Sequence, residues 1–236
     1  MNTNYILYTG YFHFLKPENE KLTETHCFYT KYAELTAQEF FNLWYENTRK
    51  YIPKEIPIHI LGPDKPNLEN KENIKSLLEY ENLGHLGDLL SKNKTGFLCG
   101  YTASVVYGMM DAYLRGKDFL YKEQDCLAFG DYIGEIYRII NNGNNYGVLV
   151  GPNQTQPCST ALHFIKRNSI PYAINKICST PDIYSIPEKK YSEMPNLGKL
   201  TFGYDRDRPF NVKDKIFYVQ QIKTQELQIL KDEKLI

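Results

Sequence analysis

Apolar and polar positions along this 236-residue chain follow two alternating patterns. Short aromatic and β-branched runs predict strands at Tyr5 to Phe14, Ile56 to Leu61, Asp118 to Tyr121 and Tyr146 to Val150. Between them, apolar residues recur every three or four positions, as on one face of a helix. Ala33 to Tyr51 does so through Phe40, Phe41, Leu43, Trp44 and Tyr51, with Thr36 placed to cap it and Pro53 and Pro57 beyond its end. Tyr101 to Leu114 does so through Val105, Val106, Met109, Met110 and Tyr113. Ala103, Gly108 and Ala112 suit that helix to close packing, and Gly116 is a candidate C-cap. Asp131 to Ile140 and Asp214 to Lys231 also predict helices, and Asn67 to Tyr80 a weaker one. Ser159 to Lys176 mixes helical signals with Pro171, and Pro181 to Asn211 reads as irregular.

Strands that alternate with helices predict an α/β fold: a single Rossmann-like domain over residues 1–236, with a mixed, mostly parallel sheet flanked by helices. Such sheets bind ligands at the carboxyl ends of their strands, and Gly10, Asp64 and Asp125 fall near such ends. No internal repeat or low-complexity tract interrupts the chain.

Composition narrows the classes. Apolar residues at 42% and charged residues at 24% are those of a globular protein long enough to bury a core. Lys plus Arg and Asp plus Glu balance at 28 each, which argues against a nucleic-acid partner but leaves room for a local diphosphate pocket. The five cysteines form no CxxC pair and are odd in number, so they read as reduced thiols of a cytoplasmic protein. The first residues lack a basic start and a long apolar run, and no stretch approaches the 18 or so apolar residues of a transmembrane segment. Twenty tyrosines fit either an AT-rich codon bias or a sugar-binding surface.

The densest signal runs from Asp111 to Asp125. A helix with small residues ends at Gly116, an apolar strand follows at Asp118 to Tyr121, and Glu123 and Asp125 stand one residue apart beyond it. This stretch resembles the A-type glycosyltransferases, in which an A-x-x-G helix precedes a strand that ends in a DxD motif. Asn82-Leu83-Gly84 resembles the N-x-G often found ahead of that helix. The likeness covers residues 82 to 130 well and the rest only as an alternation of elements. Glu123 departs from the pattern, where Asp is usual, and that weakens the case for a metal.

The resemblance implies a nucleotide-sugar donor part over residues 1–130 and an acceptor part, for a glycan or another hydroxyl compound, over 131–236. It makes Asp125 a ligand of Mn2+ or Mg2+, and Glu123 a second ligand or a ribose contact. A divalent cation there would neutralise the diphosphate oxygens as the sugar leaves. Two carboxylates at i and i+2 converge only if the chain bends after the strand. Otherwise the pair simply solvates a loop. Thr9, Gly10 and Tyr11 would meet the base through main chain and an aromatic ring, unless they form a plain strand-end turn. Asp64 and Asn82 are further donor contacts; for Asp64 a Gly-Pro-Asp turn is the simpler reading. Arg115, Lys117, Lys92 and Lys94 flank the motif as cations for the diphosphate. His163 is the candidate third metal ligand, and a hydrogen-bonded structural histidine is its alternative; His85 is the other histidine near the motif.

Inverting transfer needs a carboxylate to take the acceptor's proton. Asp205 and Asp207 in Tyr204-Asp205-Arg206-Asp207-Arg208 suit that role by position, although their arginine neighbours would lower their basicity. Glu188 and Glu193 are reserves. No QxxRW-like segment marks a processive polymerising enzyme. A sugar nucleotidyltransferase would carry a Gly-rich, cationic loop after the first strand, whereas Thr9-Gly10-Tyr11-Phe12-His13 has one glycine and no cation before Lys16. The remaining alternative is a non-catalytic carbohydrate- or nucleotide-binding protein on the same fold.

Overall fold

The computed structural model describes residues 4–11, 35–62, 65–78, 100–143, 145–153, 157–179, 187–203 and 211–236. Nine strands are described: β1 (Tyr5–Gly10), β2 (Ile58–Leu61), β3 (Ile74–Leu78), β4 (Asp118–Lys122), β5 (Cys126–Phe129), β6 (Val148–Gly151), β7 (Ser159–Ile165), β8 (Leu197–Lys199) and β9 (Phe217–Gln220). Seven form one sheet in the order β3-β2-β1-β4-β7-β6-β8. β3, β2, β1 and β4 are parallel, β7 runs antiparallel to β4 and to β6, and β8 is parallel to β6. β5 and β9 pair antiparallel as a separate ribbon. The helices are α1 (Ala37–Tyr51), α2 (Gly100–Leu114), α3 (Tyr132–Asn141), α4 (Ile170–Ser179), α5 (Pro187–Ser192) and α6 (Thr224–Asp232). Among the described residues, no helix is long and apolar enough to cross a membrane.

The sheet is covered on both faces, as the alternation of elements predicts. Every residue of β1 is buried. Tyr5 and Leu7 join Phe41 and Trp44 of α1, Ile136 of α3 and Leu227 of α6 in one apolar cluster. Ile6 and Tyr8 join Val105 and Met109 of α2, Ala173 of α4 and Tyr191 of α5 in the other. Period-two alternation thus sorts each strand between two cores. On the second face a single row crosses the whole sheet, from Lys75 through His59, Tyr8, Tyr121, His163 and Val150 to Lys199.

Local chemistry explains where the main helices start and stop. Thr36 caps α1 in a full capping box with Glu39: the Glu39 N–H donates to Thr36 Oγ1 at 3.2 Å, and the Thr36 N–H donates to Glu39 Oε2 at 2.7 Å. α2 ends in a Schellman motif. Lys117 N–H donates to Ala112 O and Gly116 N–H to Tyr113 O, with Gly116 at φ 71°.

Four segments differ from the sequence expectation. Within Asn67 to Tyr80 the described residues pass through a turn and a bend, and Ile74–Leu78 is the edge strand β3. Asn70 and Asn73 hold φ of 60° and 48°, which a right-handed helix does not pass through. Ser159–Ile165 is strand β7, and helix α4 begins only at Ile170, with Pro171 in its first turn where a missing N–H costs nothing. All seven residues of β7 are buried, so no period shows in its sequence. Asp214 to Lys231 divides into strand β9 and helix α6. Parts of the expected irregular stretch, Pro187–Ser192 and Leu197–Lys199, are helix α5 and strand β8.

Candidate functional site

The bend that Glu123 and Asp125 need is present. β4 ends at Lys122, and Cys126 N–H donates back to Glu123 O at 3.1 Å, closing a four-residue turn into β5. The turn lies at the carboxyl end of β4, beside β1, whose carboxyl end is Gly10. The Glu123 side chain and the Asp125 main chain are both held. Gln220 Nε2 on β9 donates to Glu123 Oε2. Asp125 is 4% exposed, and its main-chain oxygen accepts from Gln221 N–H at 3.1 Å.

Helix α1 supports this turn from one side of the sheet. Trp44 Nε1 donates to Glu123 O at 2.9 Å. Asn47 Oδ1 accepts from Lys122 Nζ at 2.9 Å and from Ala128 N–H at 3.0 Å, tying together the strands on either side of the turn. Lys122 Nζ also donates to Thr48 Oγ1 at 2.8 Å and sits 5.0 Å from the Trp44 ring centroid. Burial pulls the Lys122 ammonium from its ordinary value down to about 7. Sequence reading missed Lys122, Trp44, Asn47 and Gln220 as parts of the site. Parity was the available signal: Lys122 shares the core-facing register of Leu120.

The other predicted site residues scatter. Thr9 is fully buried within β1. Tyr11 is 2% exposed, and its ring packs edge-on against Phe41 with centroids 5.3 Å apart, so the core takes the ring expected to stack on a base. Its main chain lies so close to Gly62 that a Cβ there would stand 2.2 Å from Tyr11 O. Arg115 follows α2 at the opposite, amino end of the strands, with Nε 2.7 Å from Asp111 Oδ1, and is not brought to the turn. His163 lies inside β7 and is fully buried. Its Nδ1–H donates to Thr160 O at 2.9 Å, which leaves Nε2 to accept from Tyr191 O–H at 3.0 Å. Both nitrogens are thereby occupied, and His163 is a structural histidine rather than a third metal ligand.

Glu188 does reach the carboxyl end. Glu123 N–H donates to Ala161 O at 2.8 Å, and the adjacent Thr160 Oγ1 donates to Glu188 Oε1 at 3.3 Å. Glu193 is 42% exposed and pairs with Lys176 at 3.2 Å. Asp64, Asn82, His85, Lys92, Lys94, Asp205 and Asp207 lie outside the described residues.

Among the described residues, no three His, Cys, Asp or Glu side chains gather as a metal cage. Glu123 and Asp125 remain as two hard oxygen donors on one turn. That donor set fits Mg2+ or Mn2+ of the kind that is shared with substrate phosphates and keeps several waters, and does not fit a cation enclosed by protein alone.

No family model matches the chain, and no curated protein matches it. Among solved structures, the chain is similar to a glycosyltransferase involved in the glycosylation of the major capsid of PBCV-1. That match has 11% identity, covers 98% of each chain and has a TM-score of 0.48. It is also similar to a cytidylyltransferase from Leptospira borgpetersenii serovar Hardjo-bovis, at 12% identity over 98% of this chain and 94% of that one, with a TM-score of 0.46.

Proposed function

We propose that this protein transfers a sugar from a nucleotide-diphosphate donor to a hydroxyl acceptor, such as a glycan. The observation that carries the reading is the β4–β5 turn, which holds Glu123 and Asp125 at the carboxyl end of the parallel strands beside Gly10. Ligands of open α/β sheets bind there. In this reading the main chain around Gly10 meets the base, and Asp125 holds the cation. Glu123 meets the ribose or acts as a second ligand, in which case it exchanges its Gln220 contact. When bound, the cation neutralises charge on the departing diphosphate. Asp205 or Asp207 takes the proton from the acceptor hydroxyl, and Glu188, at the same end of the sheet, is the alternative base.

The test is calorimetric titration of a panel of nucleoside diphosphates, with and without Mn2+, into the wild-type protein and the Asp125→Asn and Glu123→Gln variants. Binding is expected to require Mn2+, to be lost in Asp125→Asn and to be weakened less in Glu123→Gln, with both variants folded by circular dichroism. Titrations that are identical in Asp125→Asn and wild type would remove the assignment. Incubation with a nucleoside triphosphate and a sugar 1-phosphate separates nucleotidyl transfer: release of pyrophosphate there would replace sugar transfer as the activity.

A further inference from the structure

A cavity lies at the other end of the sheet. On the face covered by α2, that helix ends at Leu114, one residue before Arg115. The opening beyond it is a cavity of about 260 Å³ lined by Ile6, Pro57, His59, Asn73, Lys75 and Arg115, among others. It is smaller than the roughly 300–1,000 Å³ of pockets for drug-sized ligands, so it suits a compound smaller than a nucleotide.

Its chemistry is set by one buried histidine. His59 is 2% exposed, and its Nδ1 stands 3.1 Å from Asp111 Oδ2. Tyr8 O–H donates to the same oxygen at 2.7 Å, and Arg115 Nε–H donates to Asp111 Oδ1 at 2.7 Å. Burial alone would raise the Asp111 carboxyl, but the hydrogen bonds from Tyr8 and Arg115 and the charges beside it hold it below its ordinary value. An ionised carboxylate only accepts, so His59 carries its proton on Nδ1 and keeps the Nε2 lone pair. Burial also pulls His59 down to about 4, against the opposing pull of Asp111, so the ring is neutral near pH 7. Nε2 has no partner among the described residues, and the ring borders the cavity.

Two cationic groups flank that acceptor. Lys75 is the register neighbour of His59 on β3, and its ammonium has no partner among the described residues. Arg115 spends Nε on Asp111, and its terminal nitrogens have no partner among the described residues. Since Asp111 offsets one of the two cations, the cluster carries a single net positive charge. A phosphoryl group offers several oxygens to donors on separate elements, as this arrangement requires.

We propose that this cavity binds a small phosphate monoester with a free hydroxyl, the hydroxyl donating to His59 Nε2 and the phosphoryl oxygens accepting from Lys75 and Arg115. The site shares no residue with the Glu123–Asp125 turn and stands independently of the proposed transfer.

The probes are glycerol 3-phosphate, methyl phosphate, which lacks the hydroxyl, and glycerol, which lacks the phosphate. Binding is followed by calorimetry and by the imidazole 15N signals of the full chain. Glycerol 3-phosphate is expected to bind and to move the His59 Nε2 signal, methyl phosphate to bind more weakly and glycerol not at all. Lys75→Ala, which removes an exposed side chain without a hydrogen bond in the fold, is expected to weaken glycerol 3-phosphate by about tenfold, the scale of one charged hydrogen bond. Asp125→Asn is expected to leave it unchanged. Absence of binding at millimolar concentration overturns the site. So does binding that leaves the His59 signal and the Lys75→Ala affinity unaltered, and equal affinity for methyl phosphate overturns the hydroxyl contact.

Discussion

Burial of Lys122 places two physical effects in opposition beneath the Glu123–Asp125 turn. Its ammonium donates hydrogen bonds to Asn47 and Thr48 and meets the face of Trp44, all neutral groups, while its removal from water disfavours the charge. In Lys122→Met the chain keeps similar volume and loses the charge. Asn47 Oδ1 would keep the Ala128 N–H, and Thr48 Oγ1 would keep its own bond to Trp44 O at 2.6 Å. Lys122→Met is therefore expected to be neutral or stabilising by about 1–3 kcal/mol in urea denaturation at pH 7.5. Asn47→Ala leaves Ala128 N–H and Lys122 Nζ short of a buried partner and is expected to destabilise by about 2–3 kcal/mol. If Lys122→Met proves the more damaging of the two, the hydrogen bonds outweigh the burial. The sequence pointed to Glu123 and Asp125 because two carboxylates after an apolar strand are a local pattern. It could not point to Trp44 or Gln220, which lie 79 and 97 residues from Glu123 and meet it only in the fold.

Helix α2 shows how packing overrides helix propensity. A Cβ on Gly108 would stand 2.7 Å from Phe119 Cε2, 2.8 Å from Leu61 Cδ1 and 3.1 Å from Tyr8 Cδ1. Alanine ordinarily gains about 1 kcal/mol over glycine inside a helix. Overpacking a core costs about 1–3 kcal/mol, and these neighbours are buried side chains within the sheet's packing. Gly108→Ala is therefore expected to lower stability by about 1–2 kcal/mol despite better propensity, read as a lower urea midpoint with an unchanged slope. The small residues of this helix predict close packing, and Gly108 and Ala112 provide it. The buried stripe is narrower than the apolar period predicts, since Met110 and Tyr113 are 47% and 41% exposed. Residues 105, 106, 109, 110 and 113 span more of the helix than one sheet contact covers. The cap residues Thr36 and Gly116 were legible because a cap acts within a few residues of itself.

At the scale of the whole molecule, the row across the second sheet face carries two buried histidines. Burial brings His59 and His163 from 6.5 to about 4. Between those values the unfolded chain binds protons that the folded one excludes, so stability rises with pH across the window and is lost as pH falls from 6.5 toward 4. For His163 alone the full difference is about 3 kcal/mol. His163→Gln removes that titration while retaining an amide donor and acceptor. Its urea stability is expected to change less than that of the wild type between pH 7 and pH 4.5; parallel pH profiles would show that His163 is protonated in the fold or does not titrate in this window.

What the sequence by itself determined is the set of elements whose signals are local: β1, β2, β4 and β6, the helices α1, α2 and α3 with their caps, and the place of the carboxylate pair just after β4. These followed from side-chain period, glycine and cap chemistry, each acting over a few residues. The tertiary structure alone decided that Ile74–Leu78, Ser159–Ile165 and Phe217–Gln220 are strands, because strand identity there rests on a partner elsewhere in the chain. It alone turned the Tyr11 ring into the core and closed both nitrogens of His163. It also brought His59 to Asp111 across 52 residues, beside Lys75 and Arg115. The reason is common to all of these: a side chain's partners are set by which strands lie side by side, and strand order depends on burying both sheet faces at once, a property of the whole chain.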